Sequence, residues 1–436
     1  MANETMQKPP RRYEKMRDSG VEWIGMAPEE WEIFMVGQLT TQVKDKNVAL
    51  QETNLLSLSY GKIKRKSINT TEGLLPASFD NYNIIEAGDV VLRLTDLQND
   101  QTSLRVGLAT EKGIITSAYL TIRPQRAVWP NFLYYALHSF DIRKGFYGMG
   151  AGVRQGLKFD EVRQIRVVVP SLKAQKSIAS YLEKKCNAID GIVAEVKASI
   201  EEYKAWKSSI IYEAVTKGLD PNAEMKDSGV EWIGEIPAHW AFRKMKQVAQ
   251  FAPKCDFSRL ENDALITFAP MECIRNGYFE NRGKQLNTIT GSYTPYSEGD
   301  IVFAKVTPCF ENGNICIMKN LYSGVGLGSS ELFVLRARSI STEYLFYYLQ
   351  HPGFVQRACA SMTGTGGLKR VSSDFIQNCP LPIPTEEEQG EIVDFLNRRC
   401  TAIEQLISEK SALIEELESY KRSLIYEVVT GKRRVC

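Results

Sequence analysis

Apolar residues recur at every seventh position along two long stretches of this chain. In the first, Leu182, Ile189, Val196, Tyr203 and Ile210 fall seven apart, with Ile178, Ile192, Ile200, Trp206 and Ala214 near the intervening positions. In the second, Leu396, Ile403, Lys410, Leu417 and Leu424 keep the same spacing, backed by Leu406, Leu413, Ile414, Tyr420 and Val428. Both stretches lack proline, and Gly191 is the weak spot of the first. A period-seven seam held over five repeats predicts a coiled coil in preference to a helix packed only on its own domain. The helices are expected over residues 172–217 and 385–432, each about 70 Å long. Their matched lengths favour pairing with each other, antiparallel. Lys410 breaks the apolar seam, and a lone polar seam residue fixes register at some cost in stability.

The chain is also written twice. Met16-Arg-Asp-Ser-Gly-Val-Glu-Trp-Ile-Gly25 returns as Met225-Lys-Asp-Ser-Gly-Val-Glu-Trp-Ile-Gly234, an offset of 209. Pro28 and Trp31 match Pro237 and Trp240 at that offset, Gly88-Asp89 matches Gly299-Asp300 at 211, and Leu133 and Tyr135 match Leu345 and Tyr347 at 212. From Gln175 onward the offset holds at 214: Ile189 matches Ile403, and Ile211-Tyr212-Glu213 matches Ile425-Tyr426-Glu427. A drifting offset followed by a constant one means a tandem duplication with a variable globular part and a length-locked helical part.

Each globular part mixes short strands and helices. Asp89-Val-Val-Leu-Arg-Leu and Asp300-Ile-Val-Phe-Ala-Lys read as strands behind a Gly-Asp turn, and Tyr119–Arg123 and Leu332–Arg336 as a second pair. Phe132–Leu137 and Tyr344–Leu349 read as buried helices. Gly-rich loops, Gly148–Gly152 and Gly364–Gly367, precede a short helix and an apolar strand ending at Pro170 or Pro384. The fold class is α+β, with both domains built alike.

Composition narrows the class. The chain has 436 residues, 43% hydrophobic and 24% charged, which excludes disorder and leaves room for about three structural units. No apolar run approaches the roughly 20 residues of a membrane span. The polar stretch before residue 13 reads as a flexible tail without a signal-peptide core. Nine cysteines, an odd number without C-x-x-C spacing, read as free thiols of a cytoplasmic protein. Net charge is only +2, from 54 Lys and Arg against 52 Asp and Glu. A nucleic-acid role would therefore rest on local patches or on a partner's charge.

Catalytic tools are missing from the pattern. There is no G-x-x-x-x-G-K-[ST] phosphate loop and no strand followed by G-x-G-x-x-G. The Asp- or Asn-Pro-Pro-aromatic tetrapeptide of amino-directed DNA methyltransferases is absent; the one Pro-Pro is Pro9-Pro10. Cys309 and Cys316 have no histidine near them in sequence, and His138, His239 and His351 are too scattered for a zinc site. No metal or cofactor site is expected on this chain.

Two globular repeats alternating with two length-matched helices, opened by Asp-Ser-Gly-Val-Glu-Trp-Ile-Gly and Pro-x-x-Trp, resemble the specificity subunits of type I restriction-modification systems. Glu298-Gly-Asp-Ile-Val-Phe-Ala-Lys-Val-Thr-Pro-Cys-Phe-Glu-Asn-Gly313 matches the family in the second domain, and Gly88–Asp100 looks like another variety of the same domain. The Pro-then-Glu-Gln helix entry stands at Pro384, Glu388 and Gln389; the first copy has Ala174-Gln175, without the capping Glu. The resemblance implies a non-catalytic reader of double-stranded DNA. Two target-recognition domains, residues 13–171 and 218–384, would each read half of a split, asymmetric site. The helices, forming an antiparallel coiled coil with a pseudo-twofold internal repeat, would set the spacing and dock two modification subunits. Those partners would bind S-adenosylmethionine and methylate adenine, and two restriction subunits are allowed as further partners. Residues 1–12 and 433–436 would be tails. The rivals are a protein-binding scaffold without DNA specificity and an enzyme in its own right.

Candidate DNA contacts follow from residue type. Lys62, Lys64, Arg65 and Lys66 cluster within five positions and suit phosphate, although a solvated loop explains them equally. Gln98, Asn99 and Asn312 lie in amide-rich loops after equivalent strands and could read adenine edges, or simply shape turns. Arg154 and Lys158 beside the first Gly-rich loop correspond loosely to Lys369 and Arg370 beside the second, and Arg275, Arg282, Lys284 and Lys305 complete the set. Tyr134, Tyr135, Tyr347 and Tyr348 sit in apolar helical runs and read as core. Trp23 and Trp232 read as structural, because identical context in both copies cannot discriminate different half-sites.

Overall fold

The computed structural model describes residues 12–68, 78–97, 100, 102, 104–149, 156–364 and 367–435. It falls into two compact units: the chain up to Val196 together with the segment from Ala412, and Lys197–Ser411. Each unit holds one globular domain and a segment of each long helix. The helices span Leu172–Lys217 and Glu386–Val429, within three residues of the expected ends.

The first unit opens with a small hairpin, Met16–Asp18 against Met26–Pro28. A four-stranded sheet follows in the order Thr40–Gln42, Leu120–Pro124, Val90–Leu92 and Val106–Leu108. A second layer holds the hairpin Leu56–Ser59/Lys62–Arg65 and the pair Asn83–Ile85/Gly113–Ile115, linked by a parallel bridge from Leu55 to Ile114. Val90, Val91 and Leu92 are all fully buried because this strand lies between two cores. Val90 and Leu92 join Phe132 and Leu133 of the helix Pro130–Ile142, while Val91, facing the other way, joins Leu56, Ile85 and Ile115.

The second unit repeats this plan. Its four-stranded sheet runs Ala249–Phe251, Leu332–Ala337, Ile301–Ala304 and Ile315–Ile317, and its second layer Gly283–Gln285, Leu265–Ala269, Val325–Gly328 and Thr294–Ser297. Ile301 and Phe303 face one core and Val302 the other.

The repeated motifs prove structural. Asp89 receives both Nε and Nη2 of Arg123 at 2.7 Å and accepts the Glu86 amide; Asp300 does the same with Arg336 and the Ser297 amide. In the decapeptide, Asp18 and Asp227 each accept the amide of the glycine two residues on at 2.9 Å. Those glycines have φ of +63° and +70°, a conformation that excludes most side chains. The turn they form presents Ile24 and Ile233 carbonyls to a tyrosine near a helix end: Tyr426 in the first unit, Tyr212 in the second. The buried Gln175 and Gln389 fix the helix starts, each accepting one backbone amide at 2.7 Å and donating to the carbonyl of Pro170 or Pro384.

Three expectations need correction. First, the second row of the seam is Cys186, Val193, Ile200, Lys207 and Ala214, answered by Cys400, Ile407, Ile414, Lys421 and Val428. Ile192, Trp206, Leu406, Leu413 and Tyr420 stand one position earlier, rotated about 100° off the seam, and are 38–47% exposed. Second, seam burial is uneven: Leu182, Ile189, Leu396, Ile403 and Leu424 are buried, whereas Val196, Tyr203, Ile210, Lys410 and Leu417 are half-buried. Lys410 places its ammonium over the Tyr203 ring at 5.5 Å, which keeps a charge at the seam without burying it alone. Third, residues 433–435 are not a loose tail. Arg433 pairs with Glu427, Arg434 lies over Tyr13 and Val435 packs on the first core.

Candidate nucleic-acid interface

In both units the segment after the Gly-rich loop is tied to the end of the central strand by the same backbone bond. Leu157 donates to the Leu94 carbonyl at 3.0 Å, and Val371 to the Lys305 carbonyl at 2.8 Å. The segment that follows each Gly-rich loop therefore lies beside the start of the amide-rich loop.

More of this junction is described in the second unit. Val306 and Arg370 form a β-bridge, and Thr307 exchanges bonds with Lys369. Glu331 lies beneath, accepting both Nε and Nη2 of Arg370 at 3.0 and 2.8 Å and standing 3.7 Å from Lys305. The Arg370 hydrogen bond holds the Glu331 carboxyl below the usual carboxylate range. Lys305 also donates to the Ser330 carbonyl at 2.6 Å. Lys369 and Asn312 are exposed, and the Asn312 side chain makes no hydrogen bond among the described residues. It does not shape the turn by an Asx bond, so its amide edge is available to solvent.

In the first unit, Gln98, Asn99 and Arg154 lie outside the described residues. Lys158 is exposed, at the start of the short helix Phe159–Val162. What organises the loop beginning at Arg93 is a residue sequence reading passed over. Arg105 is fully buried, and its guanidinium donates to the carbonyls of Arg93 and Thr95 at 3.0 Å, to that of Asp100, and to the Tyr147 hydroxyl. Its own amide donates to Asp141, whose carboxyl burial pushes up to about 6 against the pull of Arg105. A planar fork with five donors matches a curl of carbonyls as no other side chain does. The available signal was one arginine inside the apolar run Leu104–Leu108.

The basic cluster at 62–66 divides. The strand Lys62–Arg65 alternates, so Ile63 faces the second core while Lys62 and Lys64 face out. Arg65 is bidentate to Glu111, and Lys62 lies 3.7 Å from Asp190 of the first long helix. Lys64 and Lys66 are exposed with no ion pair among the described residues. In the second unit Arg282 pairs with Glu280 and Glu272, Lys284 lies over Phe268 at 4.7 Å, and Arg275 is half-buried. These two sets, unrelated in sequence, prove to lie on topologically equivalent hairpins: Lys62 and Lys64 on Lys62–Arg65, Lys284 on Gly283–Gln285, each paired antiparallel with the preceding strand.

The aromatics read as core behave so: Tyr135, Tyr347 and Tyr348 are buried, and Tyr134 is half-buried and stacked on His138. Trp23 donates to the Arg166 carbonyl and packs on Phe140, while Trp232 stacks on His351 at 5.1 Å. Among the described residues no cluster of His, Cys, Asp and Glu could hold a metal ion, and no helix is long and apolar enough to cross a membrane.

The two domains share one plan and differ in the sequence of the loops that leave their central strands. Residues 237–418 match the family described as the type I restriction modification DNA specificity domain. It is 34% identical over 177 residues to the type I restriction enzyme EcoEI specificity subunit of Escherichia coli, covering 39% of this chain and 30% of that one. The EcoAI specificity subunit of the same organism is 32% identical over 212 residues, 48% of this chain and 35% of the relative. The chain thus spans about a third of the length of these two relatives. The MjaVIII specificity subunit of Methanocaldococcus jannaschii is 24% identical over 430 residues, covering 94% of both chains. A solved chain described under complex assembly and conformational transition of the type I R-M system shares the fold, with a TM-score of 0.67 at 16% identity over 92% of this chain and 98% of that one.

Proposed function

We propose that this chain is the non-catalytic DNA-reading subunit of a type I restriction-modification complex, each domain reading one half of a bipartite, asymmetric duplex site. The observation that carries the reading is the pairing of one scaffold with two unlike loop sets. The Asp–Arg clamps, the helix-start glutamines and the Leu157/Val371 ties repeat, while the loops they support share no sequence. Equal frames with unequal loops suit two different half-sites.

The exposed apolar residues of the long helices support a partner role. Ile192 and Leu406 are repeat equivalents, as are Trp206 and Tyr420, and all four are exposed. The first unit carries Ile192 and Tyr420, the second Leu406 and Trp206. Such apolar exposure marks an interaction surface. Two equivalent surfaces suit two copies of a modification subunit, which would bring S-adenosylmethionine and the methyl-transfer chemistry, and leave restriction subunits to join through those partners. The helix pair would then set the spacer between half-sites.

Methylome sequencing of cells with and without this gene tests the reading. A bipartite adenine-methylated motif that disappears with the gene is expected. Binding of the assembled complex to DNA that is indifferent to salt would instead favour a protein scaffold, because phosphate contacts release counterions.

A further inference from the structure

Two tyrosines stand out for exposure: Tyr60 at 81% and Tyr278 at 60%. Both occupy the connection between the same two strands of the repeated plan, Leu56–Ser59 to Lys62–Arg65 in the first unit and Leu265–Ala269 to Gly283–Gln285 in the second. The connections differ in length and sequence, so the shared aromatic is not inherited from the repeated motifs. Each ring sits beside a glycine in a left-handed turn: Gly61 at φ +74° follows Tyr60, and Gly277 at φ +85° precedes Tyr278. Tyr60 itself is held at φ +48°, which is costly for a residue with a bulky side chain.

Both turns also lie against the chain that leaves the amide-rich loop. A Cβ on Gly61 would come 3.0 Å from Leu104, and a Cβ on Gly313 would come 3.1 Å from Asn276. Gly277 donates to the Ile315 carbonyl at 2.8 Å. Tyr278, Asn276 and Asn312 line one groove of about 890 Å³ in the second unit. Basic residues stand near both rings: Lys62, beside Asp190, and the exposed Lys64 follow Tyr60, and Arg275, Lys284 and Arg282, the last paired with Glu280 and Glu272, flank Tyr278. A large exposed ring, with basic residues near it in the chain and a candidate reading loop beside it, suits a planar, anion-bearing partner better than a protein surface.

We propose that Tyr60 and Tyr278 are DNA-contacting residues, one for each half-site, whose rings stack on or wedge against a base step beside the bases read by the neighbouring loop. This rests on the DNA-reading function proposed above and deepens it. The cations hold the backbone, the ring engages an unstacked base face, and the amide-rich loop reads edges. A wedge of this kind favours sequences that unstack readily, so it contributes to specificity without a hydrogen bond to any base.

The test uses the full chain assembled with its modification partners and a duplex carrying the mapped motif, with 2-aminopurine replacing each adenine in turn. Wild type should change the fluorescence of a probe in each half-site. Tyr60→Ala should abolish the change in one half, Tyr278→Ala in the other, each weakening binding by about 5- to 150-fold. The Phe variants should retain both signals. Because both side chains are exposed, melting temperatures should stay at the wild-type value. Alanine variants that bind within twofold of wild type with fluorescence intact overturn this inference alone. Variants that keep DNA binding but lose a modification subunit also overturn it, as protein contacts. A wild-type complex without sequence-specific binding overturns the parent reading and this inference together.

Discussion

Lys207 Nζ lies 2.6 Å from a carboxylate oxygen of Glu404, and Lys421 stands in the same relation to Asp190 at 2.5 Å. Lys207 and Lys421 are repeat equivalents at the constant offset, as are Asp190 and Glu404. One cross-helix ion pair has thus been kept twice, once in each unit, at the seam row where an apolar residue would serve stability as well. Asp190 also receives Lys62, so in the first unit the pair ties the basic hairpin to the helices. A double-mutant cycle on Lys421→Met and Asp190→Asn, read by urea unfolding, should give a coupling of about 0.5–1 kcal/mol, since both groups are partly exposed. A coupling of zero would make the pair incidental.

The exposed apolar pairs should count partners. Trp206→Ser is expected to lose one modification subunit and leave the other, with Tyr420→Ser doing the reverse and the double variant losing both. Light scattering of the purified complex reads the mass directly. Loss of both subunits from either single change would mean one shared site.

Arg105 should be hard to replace. Arg105→Met strands several buried carbonyls and should cost roughly 3 kcal/mol or more of stability in the first unit. Arg105→Lys keeps the charge but not the fork, and should retain much of the stability while relaxing discrimination in the first half-site only. Urea unfolding and the mapped motif of the variant separate the two effects. An Arg105→Lys variant with an unchanged motif would leave this residue a packing element.

Acid should act through individual buried groups in each unit. Burial opposes ionisation of Glu388, but hydrogen bonds from Trp240, Thr385 and His239 prevail and hold its carboxyl at about 2, below the ordinary 4.5. Its folded pKa is depressed, so its contribution is complete above 4.5 and is lost as pH falls from there towards 2. Glu388→Gln should flatten that part of the stability profile. In the first unit, burial lowers His138 from 6.5 to about 4, so the unfolded chain takes up a proton the folded one refuses. The His138 contribution should fall as pH drops from 6.5 to about 4, while the raised Asp141 carboxyl opposes it, so the profiles of wild type and His138→Gln should differ by that falling contribution. Thermal melts across the two windows check both signs.

Seven residues inserted between Val193 and Lys204 would keep the seam in phase and lengthen the helix by about 10 Å. The expected motif has a longer spacer and the same half-sites. Changed half-sites with a constant spacer would remove the helices from the measuring role.

Much of this was legible because it was periodic or repeated. The helix ends, the central strands and the buried tyrosines follow from spacing alone, since burial on one face leaves a period. The seam's second row was misread because Ile192, Trp206, Leu406 and Tyr420 are apolar and one position away; periodicity cannot tell an interior residue from one kept apolar for a partner. The clamp on the Arg93 loop was invisible for another reason. Arg105 acts through carbonyls, which every residue owns, so nothing in its neighbours' identities announces it. Tyr60 and Tyr278 were missed because they lie where the two copies share no sequence, and only strand pairing shows that their turns correspond.

Lys432 donates to the carbonyls of Ile24 and Met26, and Val428 and Val429 sit in the core begun by Ile24 and Trp31. The first unit therefore closes on residues beyond Ala412, whereas the second uses only Lys197–Ser411. On a ribosome the second unit has all its parts before the first does. Until then the early domain must wait with an uncovered flank, exposed to chaperones and proteases for the whole time the later one is being made. The domain started first is finished last.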